Sequence, residues 1–338
     1  MNTVSRGFAF APGPAALAVL AVLLLLMLVS LAWGAGSVTP IEAMRVLTGL
    51  SSDPDARFIV GELRWPRTLL GLLVGAGLGA AGAVLQAATR NPLAEPGLLG
   101  VSAGASLAVV LAISFGSGAA TLNLSVAVLG ALVGCLLVLL VTQTPGVGAD
   151  PVRLVLAGAA FSGILVSLST LILLYDQRSA DEIRFWIIGA LGGRPAEALN
   201  WSLVGTAAGL LLLLPILRPL SALALGENIA TGLGHRPRLT RAWALLCVAI
   251  LVGTATAAAG PIIFVGLVVP FIARRLVGPD IRHALGLSLL TGPALILFAD
   301  VISRLLIRPY ELPIGVVTAF IGAPCLIAIV RGRRLPNL

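Results

Sequence analysis

Lysine is absent from this sequence of 338 residues, and all 22 of its basic residues are arginine. A phosphate-binding loop of the G-x-x-x-x-G-K-[ST] type needs its lysine to reach the β and γ phosphates of a nucleotide. The chain therefore cannot contain such a loop. Any work driven by ATP must come from a partner protein.

Charged residues are also scarce, at 11% of the chain, whereas hydrophobic residues make up 58% and the mean hydropathy is +1.06. A soluble domain carries about 25% charged residues, and a disordered chain has far less apolar content. Excluding both classes leaves an integral membrane protein. The net charge of +8 does not indicate nucleic-acid binding, because the arginines are scattered between apolar runs instead of clustered on one face.

Cysteine and histidine are rare. Cys135, Cys247 and Cys325 lie in apolar segments without a C-x-x-C spacing, so they are interpreted as small hydrophobic residues and not as disulfide partners or metal ligands. The two histidines, His235 and His283, lie at predicted cytoplasmic helix ends. We therefore expect no metal site and no cofactor.

Long apolar runs predict the architecture. A helix needs about 20 apolar residues to cross about 30 Å of hydrocarbon, so stretches free of Asp, Glu and Arg are interpreted as spans. Two stretches are interrupted, one by a Gly-rich segment at 116–123 and one by Gly-Pro at 259–261, and each is interpreted as two helices. The stretches are 7–41, 68–89, 96–149, 154–175, 198–217, 242–273, 283–299 and 312–330.

This pattern predicts an all-α, polytopic membrane helix bundle of about ten transmembrane helices, forming a single domain over residues 1–338. With both termini cytoplasmic, 13 arginines fall inside and nine outside, in agreement with the bias of arginine toward cytoplasmic loops. A nine-span alternative, with 242–273 as one tilted helix, places the arginine-rich tail outside. The apolar run from Ala15 to Ala32 is longer than the core of a signal peptide and is interpreted as a retained first helix.

Three connections between the spans are long. The outer segment 35–67 contains a predicted amphipathic helix over 41–50 that starts at Thr39-Pro40, and the outer segment 176–197 is charged. The inner segment 218–241 is the largest cytoplasmic feature. We expect a cytoplasmic partner to dock there.

Glycine spacing predicts close contacts between helices, because small residues four positions apart let helices approach each other in lipid. Residues with this spacing are Gly71, Gly75 and Gly79, and also Gly130 and Gly134.

A duplication is a further hypothesis. Residues 74–82 match 252–260 at five of nine positions, in helices predicted to run in opposite directions. Inverted repeats are common in transport proteins. Chance similarity between Ala- and Gly-rich helices is the alternative.

A G-x-S-x-G pattern at Gly100–Gly104 suggests a serine nucleophile. Such a nucleophile needs a strand, a sharp turn and a helix, with a histidine and an acid nearby. Here the surrounding sequence predicts a membrane helix, and the histidines are distant. Ser102 is therefore interpreted as a packing residue, and an intramembrane hydrolase is disfavoured.

Charged residues near the predicted outer ends of two spans are functional candidates, because intramembrane charges often mark ion pathways. Asp300 and Arg304 are four residues apart and can form an ion pair on one helical face. A proton relay through Asp300 is the alternative. Arg64 and Arg67 flank Pro66, and they are either interfacial anchors or an exposed docking site that binds carboxylates.

Longer motifs follow one another from about residue 60 to 334. They are Leu63-Arg64-Trp65-Pro66-Arg67, the run 72–76, the run 82–86, Arg90-Asn91-Pro92-Leu93-Ala94-Glu95-Pro96 through Ser102, the run 154–158, Leu225-Gly226-Glu227 with Gly232-Leu233-Gly234, the run 264–270, Ala299-Asp300 with Arg304, the run 311–319 and Gly322-Ala323-Pro324. In this order they resemble the iron-siderophore and cobalamin permease family of ABC importers, the FecCD type.

The resemblance implies ten helices per subunit and a homodimer, or a heterodimer with a sister permease, around a central pathway. It implies alternating access driven by ATP-binding subunits on the cytoplasmic face, so that this chain has no catalytic residue. Those subunits would bind a coupling segment that comprises Leu225, Gly226, Glu227, Asn228, Ala230, Leu233 and Gly234. An external substrate-binding protein would dock on Arg64, Arg67 and Arg304. Gln86, Asn91, Pro92 and Asp300 are candidates for pathway or packing roles.

The resemblance also implies a multi-pass protein of the bacterial inner (plasma) membrane, in contact with lipid. Ferric siderophore is the expected cargo because it is the commonest in the family, and haem and cobalamin are alternatives. The chain departs from the family at Phe271, where histidine is common, at Cys325, where an aromatic is common, and at Ile263, where glycine is common. The alternative of another class is a proton-coupled secondary transporter that uses Asp300.

Overall fold

The computed structural model describes residues 12–34, 36–116, 124–142, 151–177, 180, 183, 186–308 and 310–331. These residues form helices joined by short connections, and no strand occurs among them. Most of the predicted Gly-rich break at 116–123 and the end of the arginine-rich tail lie outside the described residues, as do several charged positions of the segment 176–197.

The helix bounds agree with the apolar pattern of the sequence, and each of the ten predicted spans contains a helix. The helices are α1 (Pro12–Ala32), α2 (Pro40–Leu47), α3 (Pro54–Phe58), α4 (Trp65–Thr89), α5 (Val101–Ser114), α6 (Leu124–Thr142), α7 (Pro151–Tyr175), α8 (Ala196–Leu213), α9 (Leu217–Leu225), α10 (Glu227–Gly232), α11 (Pro237–Ala259), α12 (Val265–Val277), α13 (Ile281–Leu305) and α14 (Ile314–Arg331).

Six helical stretches of the described residues are long and apolar enough to cross a membrane: Pro12–Ala32, Pro54–Thr89, Leu156–Tyr175, Glu197–Leu225, Pro237–Ala259 and Ile281–Leu305. Shorter apolar helices lie within α5, α6 and α14. The polytopic helical fold is thus confirmed. The number of crossings and the side of each terminus stay predictions.

Helix α4 is the centre of the bundle and packs against α8, α11, α12 and α13. It continues from α3 through a π-helical turn at Ile59–Arg64, and Pro66 lies in its first turn, where a missing N–H costs little. Most residues from Leu70 to Thr89 are buried. The helix ends at Arg90, whose φ of 50° lies in the left-handed region that often closes helices.

Glycine contacts between helices are confirmed. A methyl group at Gly75 would lie 2.5 Å from Cα of Pro293, and one at Gly79 would lie 2.7 Å from the carbonyl oxygen of Ser288, both on α13. On α6, Gly130 lies against the backbone of α5 in the same way. The backbones of these pairs are in direct contact, as small residues permit in lipid.

Helices α4 and α11 are antiparallel neighbours. At one end, Nε of Arg241 on α11 donates to the carbonyl of Ala88 on α4 at 3.1 Å. At the other end, the amide of Ala190 donates to the carbonyl of Ala259 at 2.8 Å, and the adjacent Leu191 packs against Gly71. The two segments of the duplication hypothesis therefore lie on opposed helices, and their common origin stays a hypothesis.

The predicted break at 259–261 is confirmed, so residues 242–273 are not one tilted helix. After α11 ends at Ala259, Gly260 has a φ of 77° and residues 261–264 are not helical. Helix α12 starts at Val265, later than the Gly-Pro signal suggests, directly after Phe264, whose N–H donates to Glu95 at 2.9 Å, and it ends at Val277, beyond residue 273. With 13 residues, α12 is about 20 Å long, which is shorter than a hydrocarbon core.

The amphipathic helix predicted at Thr39-Pro40 is confirmed as α2, although it ends at Leu47 instead of at residue 50. Its first turn is closed by a capping box in which Thr39 N–H donates to Glu42 at 2.9 Å and Glu42 N–H donates to the Thr39 hydroxyl at 3.3 Å. The backbone hydrogen bond from Thr39 lowers the pKa of Glu42 from its usual value.

Candidate functional site

Two ends of the bundle carry the candidate residues. At one end, α4, α8 and α14 begin and α13 ends around a cavity of about 630 Å³. The predicted topology places this end outside, and we call it the outer end. At the inner end, α4 ends and α11 begins, next to the short helices α9 and α10.

Asp300 is fully buried at the outer end between two arginines. Its Oδ1 accepts from Nη2 of Arg67 at 2.7 Å and from Nε of Arg67 at 3.0 Å, and its Oδ2 lies 2.7 Å from Nη2 of Arg304. Nη1 of Arg67 also donates to Glu311 at 2.8 Å. The predicted ion pair of Asp300 with Arg304 is confirmed, and it is part of a cluster of two arginines and two carboxylates.

Arg304 also ties α13 to the last turn of α1. Its Nη1 donates to the carbonyl oxygens of Ser30 at 2.9 Å and Trp33 at 3.2 Å, and its Nη2 donates to the Ser30 hydroxyl at 2.7 Å. The last carbonyls of a helix have no partner within the helix. Arg304 supplies donors for them and is 2% exposed as a result.

Arg64 fills the same role from the π-helical turn. Its Nη1 donates to the carbonyls of Leu31 and Ala32, both at 2.9 Å, and its Nη2 donates to the carbonyl of Val38 at 3.3 Å. Its side chain is 4% exposed. The exposed docking site that the sequence allows at Arg64 and Arg67 is therefore wrong as regards exposure, because carbonyls at the end of α1 take up N–H groups of Arg64 and the Arg67 side chain is only 13% exposed. Docking through these residues stays a prediction.

Arg194 is a cation of the outer cavity that sequence reasoning missed. It lies two residues before α8, and its Nε donates to the carbonyl of Ala190 at 3.0 Å. Burial lowers its pKa to about 10, so it is charged at neutral pH. The sequence signal is Pro195 in Gly192-Gly193-Arg194-Pro195 just before an apolar run, because proline marks a helix start and Arg194 directly precedes it. Glu311 has no local sequence signal beyond its motif, because its partner Arg67 is 244 residues away.

The segment predicted to couple to the ATPase forms two short helices at the inner end, α9 and α10, joined at Gly226 with a φ of 134°, and its coupling role stays a prediction. The side chains of Leu225 and Leu233 are 63% and 62% exposed, and Ile229 between them is 49% exposed. Asn228 and Gly234 are exposed as well, whereas Ala230 is buried. The segment presents an apolar surface that the described part of the chain leaves uncovered.

Besides the packing of α9 against α4 and α11, an ion pair links this segment to the centre of the bundle. Glu227 on α10 pairs with Arg241 on α11, and Arg241 also donates to the carbonyl of Ala88 at the end of α4. These two contacts connect α10 to the last turn of the central helix. The sequence gives no indication of this contact.

The remaining candidates lie in packing contacts next to α12. The buried amide of Gln86 donates at 3.3–3.4 Å to the carbonyls of Ala94, Gly266 and Leu267. Asn91 accepts the N–H of Leu93 at 2.9 Å across Pro92, in a turn that closes α4. A role of these residues in the pathway stays a prediction.

Two other sequence features have simple structural roles. Phe271, where histidine is common in the family, has the guanidinium of Arg275 5.7 Å from its ring centre, which is a cation–π contact. Ser102 lies in the first turn of α5 with its hydroxyl 3.4 Å from that of Thr256. Among the described residues, no group of His, Cys, Asp and Glu is arranged to hold a metal ion.

Comparison with known sequences and structures identifies the family. The sequence profile of the FecCD transport family matches residues 22–332. The chain is 44% identical over 304 residues to the ferric enterobactin transport system permease protein FepD of Escherichia coli K12, and the alignment covers 90% of each protein. It is 38% identical over 313 residues to the Fe(3+)-citrate import system permease protein YfmD of Bacillus subtilis 168, covering 91% of each.

A solved structure has the same fold. It is a metal-chelate type ABC transporter in an inward-facing conformation, with a TM-score of 0.82 and 29% sequence identity, covering 95% of this chain and 100% of that one. Proteins of this kind are permease subunits of the inner membrane, and their ATPase is a separate subunit. The helical bundle, its motifs and these matches together show that the chain belongs to the FecCD transport family.

Proposed function

We propose that this chain is the permease subunit of a binding-protein-dependent ABC importer that carries ferric siderophores. The observation that carries the proposal is the similarity to FepD and YfmD along nine-tenths of each chain, because their names specify ferric enterobactin and Fe(3+)-citrate. Both cargoes are iron held by an organic chelator. Haem and cobalamin are the alternative cargoes within the same importer type.

The inner end supplies the contact with a partner ATPase. Exposed Leu225, Ile229 and Leu233 form an apolar patch on two short helices, and such patches commonly mark protein interfaces. ATP-driven movement of the ATPase subunits would push on α10. The Glu227–Arg241 pair would pass this movement to Ala88 and hence to α4, the helix around which the bundle packs.

The outer end receives the loaded binding protein in this proposal, and the pathway lies between two permease subunits, either two copies of this chain or this chain with a sister permease. Within one subunit, α4 and α13 are in backbone contact at Gly75 and Pro293, so substrate has no route between them. Alternating access would therefore change the arrangement of whole subunits instead of opening the centre of one bundle.

A proton-coupled carrier using Asp300 is less well supported. A proton carrier must exchange protons with water, whereas Asp300 is fully buried with Arg67 and Arg304 at its two oxygens. The cluster is therefore interpreted as a structural clamp that joins α4, α13 and the start of α14.

Affinity purification of the tagged chain from the membranes of its iron-starved host, followed by mass spectrometry, tests the proposal. We expect an ATP-binding subunit in near-stoichiometric amount and a substrate-binding protein that is retained when substrate is added. A preparation free of ATPase that still transports in vesicles would overturn the proposal in favour of a secondary carrier.

Uptake assays identify the cargo. In a host strain that lacks the gene, restoration of the wild-type chain should restore accumulation of radioactive iron supplied as the host's ferric siderophore. Radiolabelled cobalamin and iron-labelled haem serve as matched controls. Restored uptake of either one without siderophore uptake would assign the importer to that cargo instead.

A further inference from the structure

The short helix α2, in the outer segment between α1 and α4, carries apolar side chains that the described part of the chain leaves uncovered. Ile41, Met44 and Leu47 are 68%, 44% and 38% exposed. Apolar residues grouped on one exposed helix face commonly mark a surface that a partner or a membrane covers. Two observations indicate what covers this one: the order of residues around α2, and the position of α2 along the bundle.

One side of α2 is attached to the rest of the chain. Ala43 is fully buried, and it belongs to a small core with Val38, Ala56 and Val60, against which Val46 packs. This core joins α2 to α3 and to the π-helical turn that leads into α4. The helix therefore has a fixed orientation on the bundle, and its remaining two sides face outward.

The two outward sides differ in chemistry. At about 100° of rotation per residue, Met44 lies between Ile41 and Leu47 on one of them. Glu42 and Arg45 lie on the other. A helix that rests on a membrane beside a helical bundle needs three such sides, one toward the bundle, one toward lipid and one toward water.

The apolar side also carries little polar cost. The polar residue next to it in projection is Thr48, between Met44 and Ile41. The Thr48 hydroxyl donates to the carbonyl oxygen of Met44 at 2.9 Å. A hydroxyl with a hydrogen-bond partner costs much less in an apolar environment than one without a partner, so Thr48 is compatible with contact to lipid.

The end of α1 fixes the level of α2. Helix α1 has 21 residues, so it is about 31 Å long and matches a hydrocarbon core of about 30 Å. Arg64 donates to the carbonyl of Ala32, the last residue of α1, and to that of Val38, two residues before α2 begins. One guanidinium therefore holds the start of α2 beside the point where α1 leaves the hydrocarbon.

Tryptophans mark the same level. Trp33 directly follows α1, Trp65 is the first residue of α4 and Trp201 lies in the second turn of α8, and all three side chains are exposed. Tryptophan is enriched where a membrane meets water. Helix α2 contacts α1 and the π-helical turn before Trp65, so it lies next to two of these three positions.

We propose that α2 lies in the headgroup region of the outer leaflet and inserts Ile41, Met44 and Leu47 among the acyl chains. The partner of this surface is the lipid bilayer, whichever cargo the importer carries. A free peptide of eight residues would bind lipid weakly, but α2 is tethered beside α1, so its contact with lipid is an intramolecular step. The bilayer then holds the outer segment in place, including the Val38 carbonyl that Arg64 binds.

Photo-crosslinking in the intact host identifies what covers α2. Benzoylphenylalanine takes the place of Met44 in one variant and of Arg45, the next residue and on the water-facing side, in the matched control. After irradiation the chain is purified and its adducts are identified by mass spectrometry. We expect phospholipid adducts at position 44 and their loss at position 45. Any partner proteins are present in these cells, so they compete with lipid for the same position.

A spin label measures the depth of α2 in the whole transporter in lipid nanodiscs. The three native cysteines are replaced by alanine, and a nitroxide is attached in Met44→Cys or Arg45→Cys. At position 44 the label should be more accessible to oxygen, which concentrates in lipid, than to a water-soluble nickel chelate. At position 45 the order should be reversed, and saturating binding protein should change neither.

Any other result overturns the proposal. Adducts at position 44 to a binding protein or to a second permease subunit, in place of lipid, would make the apolar side a protein interface. Equal lipid adducts at positions 44 and 45 would show that no side of α2 faces the bilayer in preference. A label at position 44 that the nickel chelate reaches as readily as at position 45 would place α2 in water. None of these results bears on the proposed function, which depends on the ATPase and the cargo.

Discussion

The two ends of the molecule handle charge and apolar surface in opposite ways. At the outer end, Arg64, Arg67 and Arg304 are largely withdrawn from solvent and have partners within the chain, including the fully buried Asp300. At the inner end, the side chains of Leu225 and Leu233 are more than 60% exposed, and the only charged pair of the coupling segment in the described residues is half-exposed.

This difference indicates which contacts the chain makes alone and which it makes with others. The outer cluster joins helices distant in sequence, so it contributes to the stability of the isolated subunit. The inner patch contributes nothing to that stability, because exposed apolar side chains gain free energy only when a partner covers them. Variants at the two ends should therefore affect different measurements.

Asp300→Ala should have the largest effect on folding. It leaves Arg304 buried with only backbone and hydroxyl acceptors, and it leaves Arg67 with Glu311 alone. Removing one member of a buried ion cluster costs about 3–5 kcal/mol. We expect a corresponding fall in the free energy of unfolding, measured by denaturant or thermal unfolding of the purified subunit in detergent.

Asp55→Ala, an exposed acid on α3, is the matched control and should leave stability within about 0.5 kcal/mol of wild type. The double variant Asp300→Leu with Arg304→Met should recover part of the loss, because a buried cluster replaced by apolar groups leaves no unpaired charge. Wild-type stability in Asp300→Ala would show that the cluster is not a clamp.

Leu225→Asp combined with Leu233→Asp should act only on partner binding. Central apolar anchors of an interface contribute about 2 kcal/mol or more each, so ATPase affinity should fall by about 30-fold for one anchor and by several hundred-fold, roughly, when both contributions add, and transport should be lost. The Tm of the subunit alone should not change, because both side chains are exposed in it. Pull-down of the ATPase subunit and a thermal scan check the two halves of this prediction.

Leu50→Asp with Leu306→Asp places the same charges on exposed leucines at the outer end and serves as the control, with ATPase binding retained. An equal loss of ATPase-subunit binding in both double variants would mean that the added charge weakens binding wherever it is placed, and that the coupling segment has no special role.

Glu227→Gln should have only a small effect on folding. The Glu227 side chain is 43% exposed, and ion pairs in contact with water contribute at most about 1 kcal/mol, less at high salt. We expect a small fall in Tm at low ionic strength that disappears at high ionic strength. A fall in stability as large as that expected for Asp300→Ala would contradict the contrast between the two ends.

The sequence predicts well those features that depend on neighbours along the chain. Apolar runs locate the helices, Thr39-Pro40 marks the start of α2, and the spacing of Asp300 and Arg304 identifies an i,i+4 pair. Gly-Pro at 260–261 marks the end of α11. Each of these signals acts over a few residues, where the local backbone geometry alone determines which residues come into contact.

The sequence does not show contacts between residues far apart in the chain. Arg67 meets Asp300 across 233 positions, and Arg64 is buried because the carbonyls at the end of α1 lie beside it. Arginines near predicted span ends are expected to extend toward water, so the sequence alone suggests exposure. The delayed start of α12 has the same origin, since the acceptor for Phe264 is Glu95, 169 residues earlier.

Reconstituted transport tests the central claim most directly. The tagged chain, its co-purified ATPase and the binding protein are placed in liposomes, and uptake of the host's radioactive ferric siderophore is measured with ATP, without ATP, and with a proton gradient alone. The account predicts uptake that requires ATP and is abolished by Leu225→Asp with Leu233→Asp. Uptake driven by the proton gradient in the absence of ATPase, and lost in Asp300→Asn, would contradict it.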